Sequence, residues 1–266
     1  MSFDETMFES SLLENKDYQY ILLSIDSLSD TDKDFIRNNL LEISSGRDSE
    51  LNLVSEATEL VEYLARLDIN KRNGAISEFL LICILREKGF SQEYCFKNLE
   101  ENSAKKGFDG LVIKENQFWL VESKSSQINH GNSHRNTIYR AYSGLKKQLS
   151  GANKKINNPW RNAYNHARSA MSNKGLQRIL ASLSNSYTEK NFSTINEHNV
   201  VIGSTVIPDN MTNNRVITTI SDIDSSIKSI DNYIKNHESK DELIVIINLQ
   251  TIDIVVNFFK EIADGK

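Results

Sequence analysis

Proline and cysteine are nearly missing from this chain: its 266 residues include two of each. So few prolines leave little rigid punctuation, and element boundaries have to be read from hydrophobic periodicity. Cys83 and Cys95 lack metal-ligand spacing, which points to free thiols in a cytoplasmic protein and away from a disulfide framework. Long apolar runs are also missing. Stretches such as Leu243–Ile247 are too short to span a bilayer, and no basic-then-apolar leader opens the sequence, so no membrane partner is expected. There is no internal repeat, and the absence of a Walker A loop and of GxGxxG removes support for ATP hydrolysis and dinucleotide binding.

The most informative absence is of charge of one sign. Residues 123–188 contain 11 Lys and Arg and no Asp or Glu, whereas residues 1–60 contain 14 acids and 4 bases. A net charge of −5 therefore hides a strong asymmetry. The acid-free stretch suits a phosphate-binding face. The acidic stretch suits either a solvated surface or a docking surface for a basic partner.

What is present centres on Gly107–Lys124, GFDGLVIKENQFWLVESK. Apolar, β-branched and aromatic residues on either side of a polar break predict a hairpin: Leu111–Ile113, a turn over Lys114–Gln117, then Phe118–Lys124. Side chains alternate along a strand, so Glu122 and Lys124 share a face. Asp109 enters the first strand and can lie level with Glu122. Two carboxylates and an ammonium then converge, an arrangement able to hold Mg²⁺, with Mn²⁺ as a substitute.

Asp109, twelve residues, then Glu122-Ser123-Lys124 on a hairpin, behind a helix bearing Glu78, resembles the PD-(D/E)xK nuclease superfamily. The resemblance spans roughly Asn73 to Leu149. Two positions depart from it: Phe108 stands where the motif has proline, and polar Ser123 where an apolar residue is usual. The resemblance implies that Asp109, Glu122 and the Ser123 carbonyl hold the metal, that Lys124 positions the nucleophile and that Glu78 is an auxiliary acid. Its products would be a 5′-phosphate and a 3′-hydroxyl. As a first-turn residue, Glu78 would equally suit the helix dipole alone. More narrowly, the helical N-terminal part, the KGFD entry at Lys106–Asp109 and the WLVESK strand at Trp119–Lys124 resemble the HamA family. Members of that family are nuclease subunits of the Hachiman anti-phage system, which implies a helicase partner and restraint until foreign DNA is sensed.

Around the hairpin the chain alternates strands and helices: a strand at Tyr18–Ile25, helices over about 30–45, 49–67 and 75–88, and a strand at Tyr94–Leu99. Further helices are expected at about 136–149 and 159–183. The C-terminal part reads as strand Val200–Ile207, helix Asp222–His237, strand Leu243–Leu249 and helix Ile252–Ala263. The predicted class is α/β, a restriction-endonuclease-like core with a mixed sheet flanked by helices. Residues 1–68 are expected to form an acidic, mainly helical region and residues 69–266 the nuclease-like domain. On the helix after the hairpin, Arg135, Tyr139, Tyr142 and Lys146 recur at spacings of three and four. With Arg140, Lys147, Lys154, Lys155 and Arg161, they are the candidate DNA contacts. His130 and His134 are four apart, but Gly131-Asn132 between them argues against a helical zinc site.

The expected activity is metal-dependent DNA hydrolysis in phage defence. Two other readings fit the same residues: a homodimeric restriction-type endonuclease, or an inactive pseudonuclease that binds nucleic acid or protein.

Overall fold

Strands buried on both faces read as continuous apolar runs, and NVVIGSTVI and DELIVIINL are two of these. In a computed structural model they form the middle of one seven-stranded sheet. The described residues are 12–15, 18–47, 49–96, 107–127, 133–152, 158–170, 172–207 and 230–266. The strands are β1 (Leu12–Asn15), β2 (Tyr18–Ile25), β3 (Ser91–Gln92), β4 (Gly110–Lys114), β5 (Gln117–Gln127), β6 (Asn199–Ile207) and β7 (Asp241–Leu249). Their order is β1-β2-β7-β6-β5-β4-β3. Strands β2, β7, β6 and β5 run parallel, and antiparallel pairs close both edges, so the sheet is mixed as expected.

Helices cover both faces. One face buries α1 (Asp30–Ser45), α2 (Leu53–Arg66), α3 (Ile69–Glu87) and α7 (Asp253–Ala263) against Ile21, Val121, Val201 and Val245. The opposite face buries α4 (His134–Leu149), α5 (Pro159–Ser169) and α6 (Lys174–Thr188) against Leu120, Ile202 and Ile244. The described residues up to 68 share this sheet and core: β2 pairs with β7, and Leu60 and Leu64 of α2 lie in one apolar cluster with Phe258 and Phe259 of α7. At Gly203, an added Cβ would lie 2.6 Å from Leu81 Cδ2 and 3.1 Å from Ser123 Oγ. A side chain there would force Leu81 to shift, so glycine eases the close approach of β6 and α3.

Several predicted boundaries move. Helix α3 starts at Ile69, not Ala75, because Asp68 caps it by accepting from Lys71 N and Gly74 is absorbed into the helix. The helix expected over 159–183 is two: α5 ends at Ser169, and Asn173 caps α6 by accepting from Leu176 N. The strand expected at Tyr94–Leu99 is replaced by the two-residue β3, and residues 97–99 lie outside the described residues. Of the helix expected over 222–237, residues 230–234 are helical and 222–229 lie outside the described residues. Among the described residues no helix is long and apolar enough to cross a membrane.

Candidate active site

The hairpin turns on two residues, Glu115 and Asn116, both with positive φ (51° and 62°). A two-residue turn of this kind matches the twist of the flanking strands and fixes their register. Lys114 pairs with Gln117 and Gly110 with Val121, so Asp109 lies one step further on, level with Glu122. The polar groups then meet. Lys124 Nζ donates to Glu122 Oε1 at 2.6 Å, to the Ser123 carbonyl at 2.9 Å and to Asp109 Oδ2 at 3.2 Å. Asp109 Oδ2 also accepts from Ser123 N at 2.9 Å, tying the entry of β4 to the exit of β5.

Helix α4 folds back over β5 and covers the trio. Ser126 and Thr137 share a hydroxyl hydrogen bond of 3.1 Å near the start of the helix, and Gln148 Nε2 donates to Glu122 Oε2 at 3.3 Å near its end. Glu122 is thus 4% exposed, against 20% for Asp109 and 29% for Lys124. Burial and then the charge on Asp109 push the Glu122 carboxyl up to about 7, against the opposing pull of Lys124. Burial disfavours charge on Lys124, but Asp109 and Glu122 outweigh it and hold its pKa above that of ordinary lysine. The site thus has more negative charge than one ammonium neutralises comfortably.

A cleft of about 690 Å³ opens onto Asp109, Ser123 and Lys124 and is also lined by Glu78 and Arg140. Glu78 reaches this cleft from α3, on the sheet face opposite α4. No group of three or more His, Cys, Asp or Glu suited to a metal occurs among the described residues. The trio Asp109, Glu122 and Lys124 is what the structure brings together.

The candidate DNA contacts divide. Arg135, Tyr139, Arg140, Lys147 and Arg161 are exposed. Tyr139 is 55% exposed and meets Tyr233 edge to face, and Arg135 lies over that same ring at 6.0 Å. Lys146 is paired with Glu238 at 2.6 Å on the surface. Lys154 and Lys155 lie outside the described residues. Tyr142 is a correction. It is buried, stacks on His237 with ring centroids 3.6 Å apart, and its hydroxyl accepts from Glu238 N. His134 is buried between Ser204 Oγ (2.8 Å) and Asn248 Oδ1 (2.9 Å), while His130 lies outside the described residues. Gln148 went unnoticed in the sequence, and its signal was a polar residue on the apolar stripe of Ile138, Ala141, Leu145 and Leu149.

Fold and site together define an α/β protein with a mixed sheet whose β4–β5 hairpin gathers an Asp–Glu–Lys trio beside a cleft. The chain belongs to the HamA family: the family model described as HamA matches residues 1–263. Family membership associates it with Hachiman defence. Compared with curated proteins, the chain matches none.

Proposed function

We propose that this chain is a metal-dependent DNA nuclease of the PD-(D/E)xK type, acting as the effector of a Hachiman defence system under the control of a helicase partner. The observation that carries the reading is the convergence of Asp109 Oδ2, Glu122 Oε1 and the Ser123 carbonyl within 3.2 Å of one point, Lys124 Nζ. All three are hard oxygen donors, with no sulfur or imidazole among them, which fits Mg²⁺ or Mn²⁺ better than zinc. The elevated carboxyl of Glu122 agrees with a missing positive charge. Asp109, Glu122 and the Ser123 carbonyl would hold the cation, which supplies an acidified water and offsets charge on the phosphate. Lys124, at the cleft floor, is placed to orient the nucleophile and to neutralise charge growing on the phosphate in the transition state. Gln148 holds Glu122 in place through its amide. Exposed Arg135, Tyr139, Arg140 and Lys147 on α4 supply contacts to DNA.

Plasmid cleavage in Mg²⁺ or Mn²⁺ tests this, comparing the wild-type chain with Lys124→Ala, each alone and with a co-purified helicase. The expected result is cleavage by wild type that disappears in the variant. Equal cleavage by both would move the site elsewhere, and no cleavage by wild type under any of these conditions would leave a binding protein built on a nuclease fold.

A further inference from the structure

The cleft above the Asp109–Lys124 floor has two walls, and the sequence assigned nucleic-acid contacts to one only. Arg140 of α4 stands on that wall. Opposite it, Tyr63 near the end of α2 and Lys71 in the first turn of α3 line the same cavity. Since α3 and α4 cover opposite faces of the sheet, the two cations straddle the end of β5.

We infer that this cleft threads a single DNA strand, with Lys71 and Arg140 gripping its phosphates from opposite walls and Tyr63 stacking on a base. The inference rests on the nuclease reading above and adds its substrate class and its second wall. Three observations support it. The reacting groups are recessed, with Lys124 29% exposed and Glu122 only 4%, so a phosphate has to be brought down to them. The cavity, about 690 Å³, lies within the range of about 300–1,000 Å³ that encloses small ligands. A volume of this size matches a few nucleotide units of one strand. Its walls combine cations with an aromatic ring, the pairing that binds single strands without reading sequence.

Lys71 is free to engage a phosphate at little cost. Its partner Asp68, at 3.0 Å, and Lys71 itself are 53% and 72% exposed, so solvent already competes with that pair. Tyr63 is half-buried, packed on the core of α2, α3 and α7, and it lines the cavity.

The test uses full-length Lys124→Ala protein in Mg²⁺, which removes cleavage, and a fluorescent DNA strand offered alone or as duplex. Anisotropy titrations across salt should show the single strand bound at least ~10-fold more tightly than the duplex. Adding Lys71→Ala or Arg140→Ala should weaken binding by ~3–10-fold and lower the salt slope by about 0.7 for each phosphate no longer neutralised. Tyr63→Leu should weaken binding ~5-fold or more with the slope unchanged, and Tyr63→Phe should restore it. Equal affinity for duplex, or salt slopes unchanged in both cationic variants, overturns the inference. If cleavage still depends on Lys124 in that case, the nuclease reading survives alone. Cleavage that persists in Lys124→Ala would instead place the nuclease site away from this cleft, and the inference would fall with that assignment, whatever the binding shows.

Discussion

Two buried polar clusters lie side by side at the carboxyl ends of the parallel strands, where Lys124 of β5 pairs in register with Ser204 of β6. One is complete. His134 uses both ring nitrogens, on Ser204 and Asn248, and Asn248 Nδ2 passes the chain on to Ser24 Oγ at 3.3 Å. That network pins the first turn of α4 across β6, β7 and β2. The other is incomplete. Glu122 and Asp109 share one ammonium, burial and mutual repulsion raise the Glu122 carboxyl, and Gln148 Oε1 is buried without a hydrogen-bond partner among the described residues. A satisfied buried network fixes structure, whereas an unsatisfied one stores a demand for something else. The contrast fits a scaffolding role for the histidine cluster and agrees with the chemistry proposed for the carboxylate cluster.

The sharpest way to break that division is to cut one member from each. Lys124→Ala is expected to lower cleavage by about 10²–10³-fold or more, the scale for losing a charge-stabilising donor from an active site. Its thermal midpoint should move far less, since Glu122 can take up a proton when its cation partner goes. Single-turnover cleavage and a melting curve on the same preparation measure both. His134→Ala should do the reverse. It leaves a cavity and strands Ser204 Oγ and Asn248 Oδ1, a loss of about 2–4 kcal/mol in denaturant unfolding, with cleavage per folded molecule little changed. If His134→Ala abolished cleavage while the fold held, the histidine cluster would belong to the chemistry.

Gln148→Leu sharpens the comparison with a smaller effect. It keeps the volume and removes the one amide that α4 aims at Glu122. Supporting groups of this kind typically contribute about 10–100-fold to metal affinity or activity. The expected result is a rise in the Mg²⁺ concentration needed for half-maximal cleavage, with stability nearly unchanged because the buried orphan Oε1 is removed as well. An unchanged Mg²⁺ requirement would make Gln148 a packing residue.

The two clusters were not equally legible in the sequence. Asp109, Glu122 and Lys124 could be placed because strand alternation is strict and a short hairpin leaves few registers; even so, the turn came out two residues long where four were expected. The remaining gaps lie where helices meet. On α4, Tyr142 sits at the margin between the exposed row of Arg135 and Tyr139 and the buried row of Ile138 and Leu145. Helical spacing cannot decide that margin. The decision falls to His237, a residue far away in the chain, whose ring covers Tyr142. The scaffolding role of His134 and the contact of Gln148 were hidden for the same reason, since their partners come from β6, β7 and β5. Gly74 looked like a helix break but costs only about 1 kcal/mol inside α3, which its Asp68 cap and buried face offset.

The smallest effect is also the one in which the clusters oppose each other directly. Burial depresses His134 to about 4, while its unfolded value is 6.5. The unfolded chain then binds the extra proton, so this stabilisation is fully present above pH 6.5 and is lost as pH falls through 4. Glu122 is displaced the other way, to about 7 from 4.5. Here the folded chain binds the extra proton, so its contribution is fully present below pH 4.5 and is lost as pH rises through 7. Both windows lie between about pH 4 and 7, with opposite slopes each on the order of 1–3 kcal/mol, so metal-free wild type should show a flattened profile. Glu122→Gln should unmask the histidine limb, making stability rise with pH across that range. His134→Asn should unmask the carboxylate limb, making it fall. Saturating Mg²⁺ should abolish the falling limb alone, because a cation between Asp109 and Glu122 removes the reason for Glu122 to hold its proton. Urea unfolding at a series of pH values, with and without Mg²⁺, reads all four profiles. A falling limb that survives Mg²⁺ would mean that the two carboxylates do not take up the cation.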